Sequence, residues 1–479
     1  MNRYLLICIW LACLSLLSAT ACSRVQMRPG PDVQLGLTPE IDENYTLDAQ
    51  WWKIYNDPQL NALMELALAN NLDLAQSAIN VNRALYQANL IGADLLPAFS
   101  SSLDGSARRN LRHGGTGTSV RSVGGDVSVS YELDLWRKLA NTADAAQWEY
   151  AATLYDLEAA RLALINNVAA AYFYLAYLNQ AIAITTDSLE NYQRIEQIIS
   201  TKYSLGKVDA LEQAQARQSV LSAENNLLNL QAQAKDAEET LRNLLNLRPG
   251  ERKPGVSQER ANYPVPPLPY NFPDLLQVQS PGVEMGVPLA VLAHRPDLAA
   301  AHNRLRSAFE DVQAANKSWL PQISLGAGLS SASARPGSAF DAPLASGLIK
   351  ISLPFLDWNR VYWQVKISEA EFENRVLQFE QAITTALNEV DKFYYRYLNA
   401  AKTLEAIQAR YDYELKITEY YEIRYASGAS ELSDWLGALN TQTQSRLELL
   451  NARYTQLESE NALYRAMAGR YTAKLQPAP

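Results

Sequence analysis

Residues 139–205 read LANTADAAQWEYAATLYDLEAARLALINNVAAAYFYLAYLNQAIAITTDSLENYQRIEQIISTKYSL. This stretch, extended back to Asp126, contains neither Gly nor Pro. Read as one helix it covers about 65 residues and runs roughly 100 Å at about 1.5 Å per residue. Ala and Leu dominate, as in Ala145-Ala146, Ala151-Ala152, Leu154, Leu157 and Ala169-Ala170-Ala171, with Asn, Gln and Glu between them. Such small residues suit close packing against several neighbouring helices. An ordinary globular domain has no use for a rod of this length, so the rod must lie against others.

A second rod follows. Residues 355–427 are again free of Gly and Pro. Trp136 and Trp358, Tyr203 and Tyr425, and Gly206 and Gly428 each stand 222 apart, while Asp73-Leu74 matches Asp297-Leu298 and Leu96-Pro97 matches Leu320-Pro321 at 224. Two rods alike by chance would not also repeat their Pro and Gly punctuation, so the chain reads as two internal repeats.

Ahead of each rod the period changes from helical to two. Phe99, Ser101, Leu103, Gly105 and Ala107 alternate with Ser100, Ser102, Asp104 and Ser106; Val127, Val129, Tyr131, Leu133 and Leu135 alternate with Asp126, Ser128, Ser130, Glu132 and Asp134. The second repeat does the same with Ile323, Leu325, Ala327 and Leu329, then Ile349, Ile351, Leu353 and Phe355. Strands are expected over 97–107, 122–135, 321–331 and 346–355. Their length and one-apolar-face pattern match membrane-spanning β-strands, although a soluble sheet with one wet face reads the same way.

The N-terminus bears on that choice. Arg3, an apolar run from Leu5 to Leu17, and Ser18-Ala19-Thr20-Ala21 before Cys22 form a secretory signal over 1–21. The apolar run is too short for a stable membrane helix. Small residues directly before a Cys resemble a bacterial lipobox, with Cys22 lipidated by a fatty acyl group such as palmitate, and Ser23 resembles outer-membrane sorting. Cys8 and Cys13 leave with the signal, so no disulfide framework or Cys-based metal site remains. The formal charge is −9 with Arg3 and −10 without it, and no basic stripe exists, which argues against nucleic acid as a partner.

The remaining segments follow in order. Residues 22–57 read as a lipid-anchored tether. Repeat 1 spans 58–247, opening with a helix expected over 58–93 whose start is capped by Asp57 before Pro58. Each rod ends in a turn, Tyr203-Ser204-Leu205-Gly206 and Tyr425-Ala426-Ser427-Gly428, and a returning helix is expected over 210–247 and 432–468, capped by Asp209 and Ser430. A Pro-rich linker over 248–283 is expected to wrap the outside of the rods. Repeat 2 spans 284–470, and 471–479 is a tail.

Four strands cannot close a barrel, and lipid forbids an open sheet edge because its unpaired backbone groups find no water. Strands that enter a membrane therefore require further copies. Three copies of four strands make twelve, enough for an open-lumen barrel.

The Trp51-Trp52-x-x-Tyr55-x-Asp57-Pro58-x-Leu60 opening, the Leu-Pro strand starts, the Tyr-x-x-Gly turns and the duplication together resemble the TolC/NodT family of outer-membrane efflux lipoproteins. The resemblance runs from about Cys22 to Tyr471. It implies a mixed α+β membrane fold: a homotrimeric channel-tunnel in which a 12-stranded β-barrel in outer-membrane lipid continues into a 12-helix periplasmic α-barrel. It implies an exit duct joined through a periplasmic adaptor to an inner-membrane transporter, of the RND type.

The family's functional positions carry over only at the turns. Gly206, Lys207, Val208, Gly428, Ala429 and Ser430 resemble the tips that meet the adaptor. Glu212 and Asp434, each six residues past a tip Gly, match acids that line the periplasmic gate, and Tyr425 matches a tyrosine that bonds the acid of the neighbouring hairpin, here Glu212. The chain departs from the family pattern at Ser430, where an Arg latch would stand, and at Gly437, where a second acid would stand. The same two acids are also ordinary solvated residues for a Glu-rich helical chain.

Rival classes have weaker support. With three His (His113, His294, His302) and no HExxH, P-loop, GxSxG or Cys-pair motif, no enzyme constellation, cofactor site or metal site is visible. A type I secretion duct uses the same architecture. A lipid-anchored coiled coil without a pore explains the rods and leaves the two strand pairs without a role. Met27, Met64, Met285 and Met467 are scattered and trace no soft-metal path.

Overall fold

The computed structural model describes residues 45–109, 119–247, 272–280, 282–283, 294–334, 338 and 341–473. The signal, Cys22, the tether up to residue 44, most of the Pro-rich linker, the loop 110–118 with His113 and the tail beyond 473 lie outside the described residues.

After a short strand β1 (Tyr45–Asp48) and a 3-10 turn (Trp51–Tyr55), the chain forms α1 (Pro58–Asn70) and α2 (Leu72–Gly92). Asp57 caps α1, accepting from the backbone N–H of Gln59 at 2.9 Å and Leu60 at 3.2 Å. The single helix expected over 58–93 is in fact two. Asn71 breaks it by adopting ψ 126°; its Oδ1 accepts from Leu74 N at 2.9 Å, starting α2, and its Nδ2 donates to Leu244 O at 3.0 Å. One side chain thus compensates the broken helix and ties it to another element.

Strands β2 (Ala98–Arg109) and β3 (Ser119–Leu133) follow, then the first rod α3 (Lys138–Ser204) and its return α4 (Ala210–Leu244). The second half gives α5 (Pro296–Lys317), β4 (Gln322–Ser333), β5 (Leu344–Ser352), the second rod α6 (Trp358–Ala426), its return α7 (Leu432–Ala466), and β6 (Arg470–Ala473), which pairs with β1. Every strand bound differs from expectation by one to three residues, and both return helices stop short of 247 and 468. The element ranges keep the repeat spacing. β4 begins and ends at the bounds of β2 shifted by the interval between Leu96-Pro97 and Leu320-Pro321, and α7 at the bounds of α4 shifted by the interval between Gly206 and Gly428.

The four strands form one antiparallel sheet in the order β2-β3-β4-β5. Its register sets Val127 opposite Leu329, Val129 opposite Ala327, Tyr131 opposite Leu325 and Leu133 opposite Ile323, then Ile323 opposite Ile351 and Leu325 opposite Ile349. Directly opposed residues share a face, so the apolar residues form one side. The other side is mostly polar, with Ser100 Oγ and Ser128 Oγ 2.7 Å apart and Ser102 donating to Asp126, though Leu344 and Leu348 also fall there. The apolar side is bare: Phe99 is 65% and Ile349 70% exposed.

The core sits at mid-rod. Trp51, Tyr55, Leu60, Leu63 and Met64 pack on Leu164 to Ile184 of α3 and on the ends of α4 and α7. Several of its polar groups are paired: Trp51 Nε1 donates to Asn461 Oδ1 at 2.8 Å, Asn461 Nδ2 donates to Asn166 O at 3.1 Å, and Tyr172 donates to Asp57 at 2.5 Å, whereas the buried Tyr55 hydroxyl has no hydrogen-bond partner among the described residues. The linker is not merely wrapped outside. Leu275 is fully buried, Gln180 donates to Pro273 O, and Ser280 donates to Glu460 at 2.6 Å. One stretch of α3 is long and apolar enough to cross a membrane, and it is the part that this core covers.

Candidate functional site

At the end of the rods remote from the sheet, two hairpin tips meet. Each rod closes with a left-handed glycine, Gly206 at φ +68° and Gly428 at φ +72°. The N–H of Lys207 bonds Lys202 O at 2.9 Å and the N–H of Ala429 bonds Arg424 O at 2.8 Å, the paired bonds that finish a helix where only Gly turns without strain. Tyr192, Ile195 and Ile199 of α3, Ala216 and Val220 of α4, and Leu432 and Leu436 of α7 bury one cluster between the hairpins, with Val208, Tyr425 and Trp435 at its edge. Gly206, Lys207, Gly428 and Ala429 are exposed, as a docking tip requires, whereas Val208 and Ser430 are half-buried.

Above this cluster the contact turns polar. Tyr192 donates to Asn440 Oδ1 at 2.7 Å and the hydroxyls of Ser188 and Thr443 lie 3.2 Å apart, around a cavity of about 380 Å³.

The two acids occupy matching positions, the third residue of α4 and of α7. Glu212 N donates to the α4 cap Asp209 at 3.0 Å, while the Glu212 side chain is half-buried and its Oε2 has no hydrogen-bond partner among the described residues. Asp434 is exposed and receives the N–H of Glu431 at 3.4 Å, one arm of a capping box. Ser430 is therefore not the cap of α7. Glu431 is, and the buried Ser430 Oγ has no partner among the described residues.

Tyr425 does not reach Glu212. Its hydroxyl accepts from Lys202 Nζ at 3.3 Å, the same ammonium lies 4.9 Å from its ring centre, and the ring stacks on Trp435 at 5.4 Å. A Lys202–Tyr425–Trp435 clamp thus joins the two hairpins. Sequence reasoning missed Lys202 and Trp435, although a signal was present: a cation precedes the turn tyrosine twice, as Lys202-Tyr203 and Arg424-Tyr425. The copies act differently, for Arg424 turns onto Tyr420 and Ala429 O of its own hairpin.

Two long helical hairpins thus lie beneath one four-stranded antiparallel sheet. The family model described as outer membrane efflux protein matches residues 63–247 and again 287–469. The chain belongs to the outer membrane efflux protein family. It is 46% identical to the toxin and drug export protein A of Aggregatibacter actinomycetemcomitans over 91% of this chain and 92% of that one. It is 30% identical to the pyoverdine export outer membrane protein OpmQ of Pseudomonas putida over 89% of each. Among solved structures, a crystal structure of CusC, described in terms of folding and transmembrane channel formation, superposes at TM-score 0.77 and 25% identity, covering 93% of this chain and 99% of that one. Among the described residues no group of His, Cys, Asp or Glu could hold a metal ion.

Proposed function

We propose that three copies of this chain form the exit duct of a tripartite efflux system. In this reading β2 to β5 of three copies close a twelve-stranded outer-membrane barrel, and α3, α4, α6 and α7 continue it as a helical tunnel across the periplasm. Cys22 carries the lipid anchor, the tips at Gly206 to Val208 and Gly428 to Ser430 receive a periplasmic adaptor, and an RND-type inner-membrane transporter supplies the substrate. The observation that carries this reading is the sheet, which has a bare apolar face and two unpaired edges. Lipid tolerates the face and not the edges, so only closure with other copies satisfies both. The relative named for toxin and drug export favours a duct wide enough for polypeptide as well as small molecules.

The gate is the tip cluster. Three copies of Glu212 and Asp434 bring six carboxylates to one narrow mouth, where low-dielectric walls focus the field and favour cations. In planar bilayers the purified trimer should pass small, cation-preferring currents blocked from the tip side by multivalent cations. Glu212→Gln with Asp434→Asn should lose most of that preference, while Tyr425→Phe, which loosens the Lys202 contact and leaves the acids in place, should raise conductance and keep it. Unchanged ion preference in the double variant would place the gate elsewhere.

A further inference from the structure

At the sheet and the helices next to it, the described residues contain one junction between the halves and expose the parts of another. In the junction it contains, β3 pairs with β4, with Ser128 opposite Gly328 and Val129 opposite Ala327. Beside it, α5 lies on α3: Ser307 donates to Ala145 O at 2.9 Å, Arg304 pairs with Asp156 and Glu149, and Trp136 Nε1 donates to Pro321 O at 2.8 Å. The reciprocal junction would join β5 and α6 to β2 and α2. One chain cannot make it, because β2 and β5 are the opposite edges of its sheet.

The residues that would make it are bare. Pro296, Asn303 and Ala314 are buried on α5; their counterparts one repeat earlier are Leu72, Ile79 and Leu90, exposed at 63, 65 and 73%. Asn141 and Ala145 are buried on α3; their counterparts one repeat later are Trp363 and Ile367, exposed at 58 and 70%. Trp358 is 63% exposed, against 42% for its counterpart Trp136. Apolar side chains at positions that the other half buries mark a surface meant to be covered, and the cover that fits is the one the other half uses.

Resting on the trimer reading above, we propose that the junction between copies repeats the junction within the chain: β5 of one copy runs antiparallel to β2 of a second copy, in the register that sets Lys350 opposite Asp104. Moving the β3–β4 pairs along by the repeat spacing gives Ile351 opposite Leu103 and Ile349 opposite Gly105 on the apolar face. On the polar face it gives Ser352 opposite Ser102, Lys350 opposite Asp104 and Leu348 opposite Ser106. The indole of Trp358 then reaches Pro97 O of the second copy, as that of Trp136 reaches Pro321 O.

Two features not used to derive this register agree with it. Each odd-numbered, apolar-face position of β5 meets one of β2, whereas a one-residue slip would turn one strand's apolar side into the lumen. The one charged residue of β5, Lys350, meets the one acid of β2, Asp104, and unlike charges directly opposite favour a pairing. A slip of two residues would set Lys350 against a serine, Ser102 or Ser106. The helical parts of the two junctions differ in chemistry. Arg304 and Asp156 are replaced by Asn80 and Gln378, which leaves Glu371, the counterpart of Glu149, without the arginine, so the contact between copies rests on Leu72, Ile79, Leu90, Trp363 and Ile367 and resists salt.

Oxidation of the full-length lipoprotein in isolated outer membranes tests the register. Asp104→Cys with Lys350→Cys should give covalent dimers and trimers on a non-reducing gel in most chains. Either single variant, and the slipped pairs Ser102→Cys with Lys350→Cys and Ser106→Cys with Lys350→Cys, should give few, because disulfide geometry admits directly opposed residues and strains diagonal ones. A second arm avoids cysteine: Asp104→Lys should lower the trimer fraction several-fold and Lys350→Asp added to it should restore it. If a slipped pair cross-links best, or if the charge swap fails to restore a trimer that the wild type forms, the register is overturned and the trimer stands. A wild-type chain that is monomeric by light scattering in detergent overturns both.

Discussion

The two rods, α3 and α6, have nearly the same length, the same place in their halves and opposite environments. α3 buries 21 of its 67 residues and α6 only 5 of its 69. Among the described residues α3 packs extensively against α1, α2, α4, α5 and α7, whereas α6 packs mainly against α5 and α7. The side chains have diverged to match. At equivalent repeat positions, Ala169 of α3 stands where α6 has Asp391, and Phe173, 1% exposed, where α6 has Tyr395, 69% exposed. A duplicated element keeps its backbone pattern, while its partners decide which side chains it needs.

The largest test of that contrast is a matched truncation. Phe173→Ala removes a ring packed edge-on against Tyr55 and Tyr172 and should cost about 3–5 kcal/mol by thermal or urea unfolding. Tyr395→Ala, at the same repeat position, should stay within about 0.5 kcal/mol. Equal costs would show that α6 is covered over this stretch too.

A somewhat smaller effect separates the faces of the sheet. Val129→Arg or Ile351→Arg should cost about 2–4 kcal/mol if those positions meet lipid near the midplane, whereas Ser128→Arg, one residue away on the polar side, should be far milder. Folding yield into outer-membrane vesicles reads the difference, and equal tolerance of both faces would mean the alternation does not report lipid.

The smallest effect is a pH slope rooted in the core that surrounds α3. Glu460, on α7, is fully buried. Burial pushes its carboxyl above the usual range despite the bonds from Ser280 and Tyr464 and the nearby Arg453. The folded state therefore holds this proton more tightly than the unfolded one. Its stabilising contribution is complete below the unfolded carboxylate range and is lost as pH rises through the folded value. Glu460→Gln should flatten stability between about pH 4 and neutrality, leaving the variant relatively more stable at the upper end; a wild-type profile that rises with pH and is unaltered by the substitution would contradict this.

The sequence by itself determined the elements and their order. Rods without Gly or Pro, left-handed Gly206 and Gly428, the Asp57 and Asp209 caps and the period-two strands are local signals, each set by backbone geometry within a few residues. The repeat spacing made the two-part plan legible for the same reason, since it is carried by the same local punctuation. Tertiary structure decided whatever depends on a distant partner. Asn71 splits the expected helix because Leu244 O waits for its amide. Leu275 enters the core because α7 presents Arg453 to its carbonyl. At the tips, Tyr425 meets Lys202 rather than Glu212. Each depends on a partner far along the chain, where no periodicity reaches, and the contrast between α3 and α6 has the same origin: near-equal sequence patterns cannot say which of two rods will be surrounded.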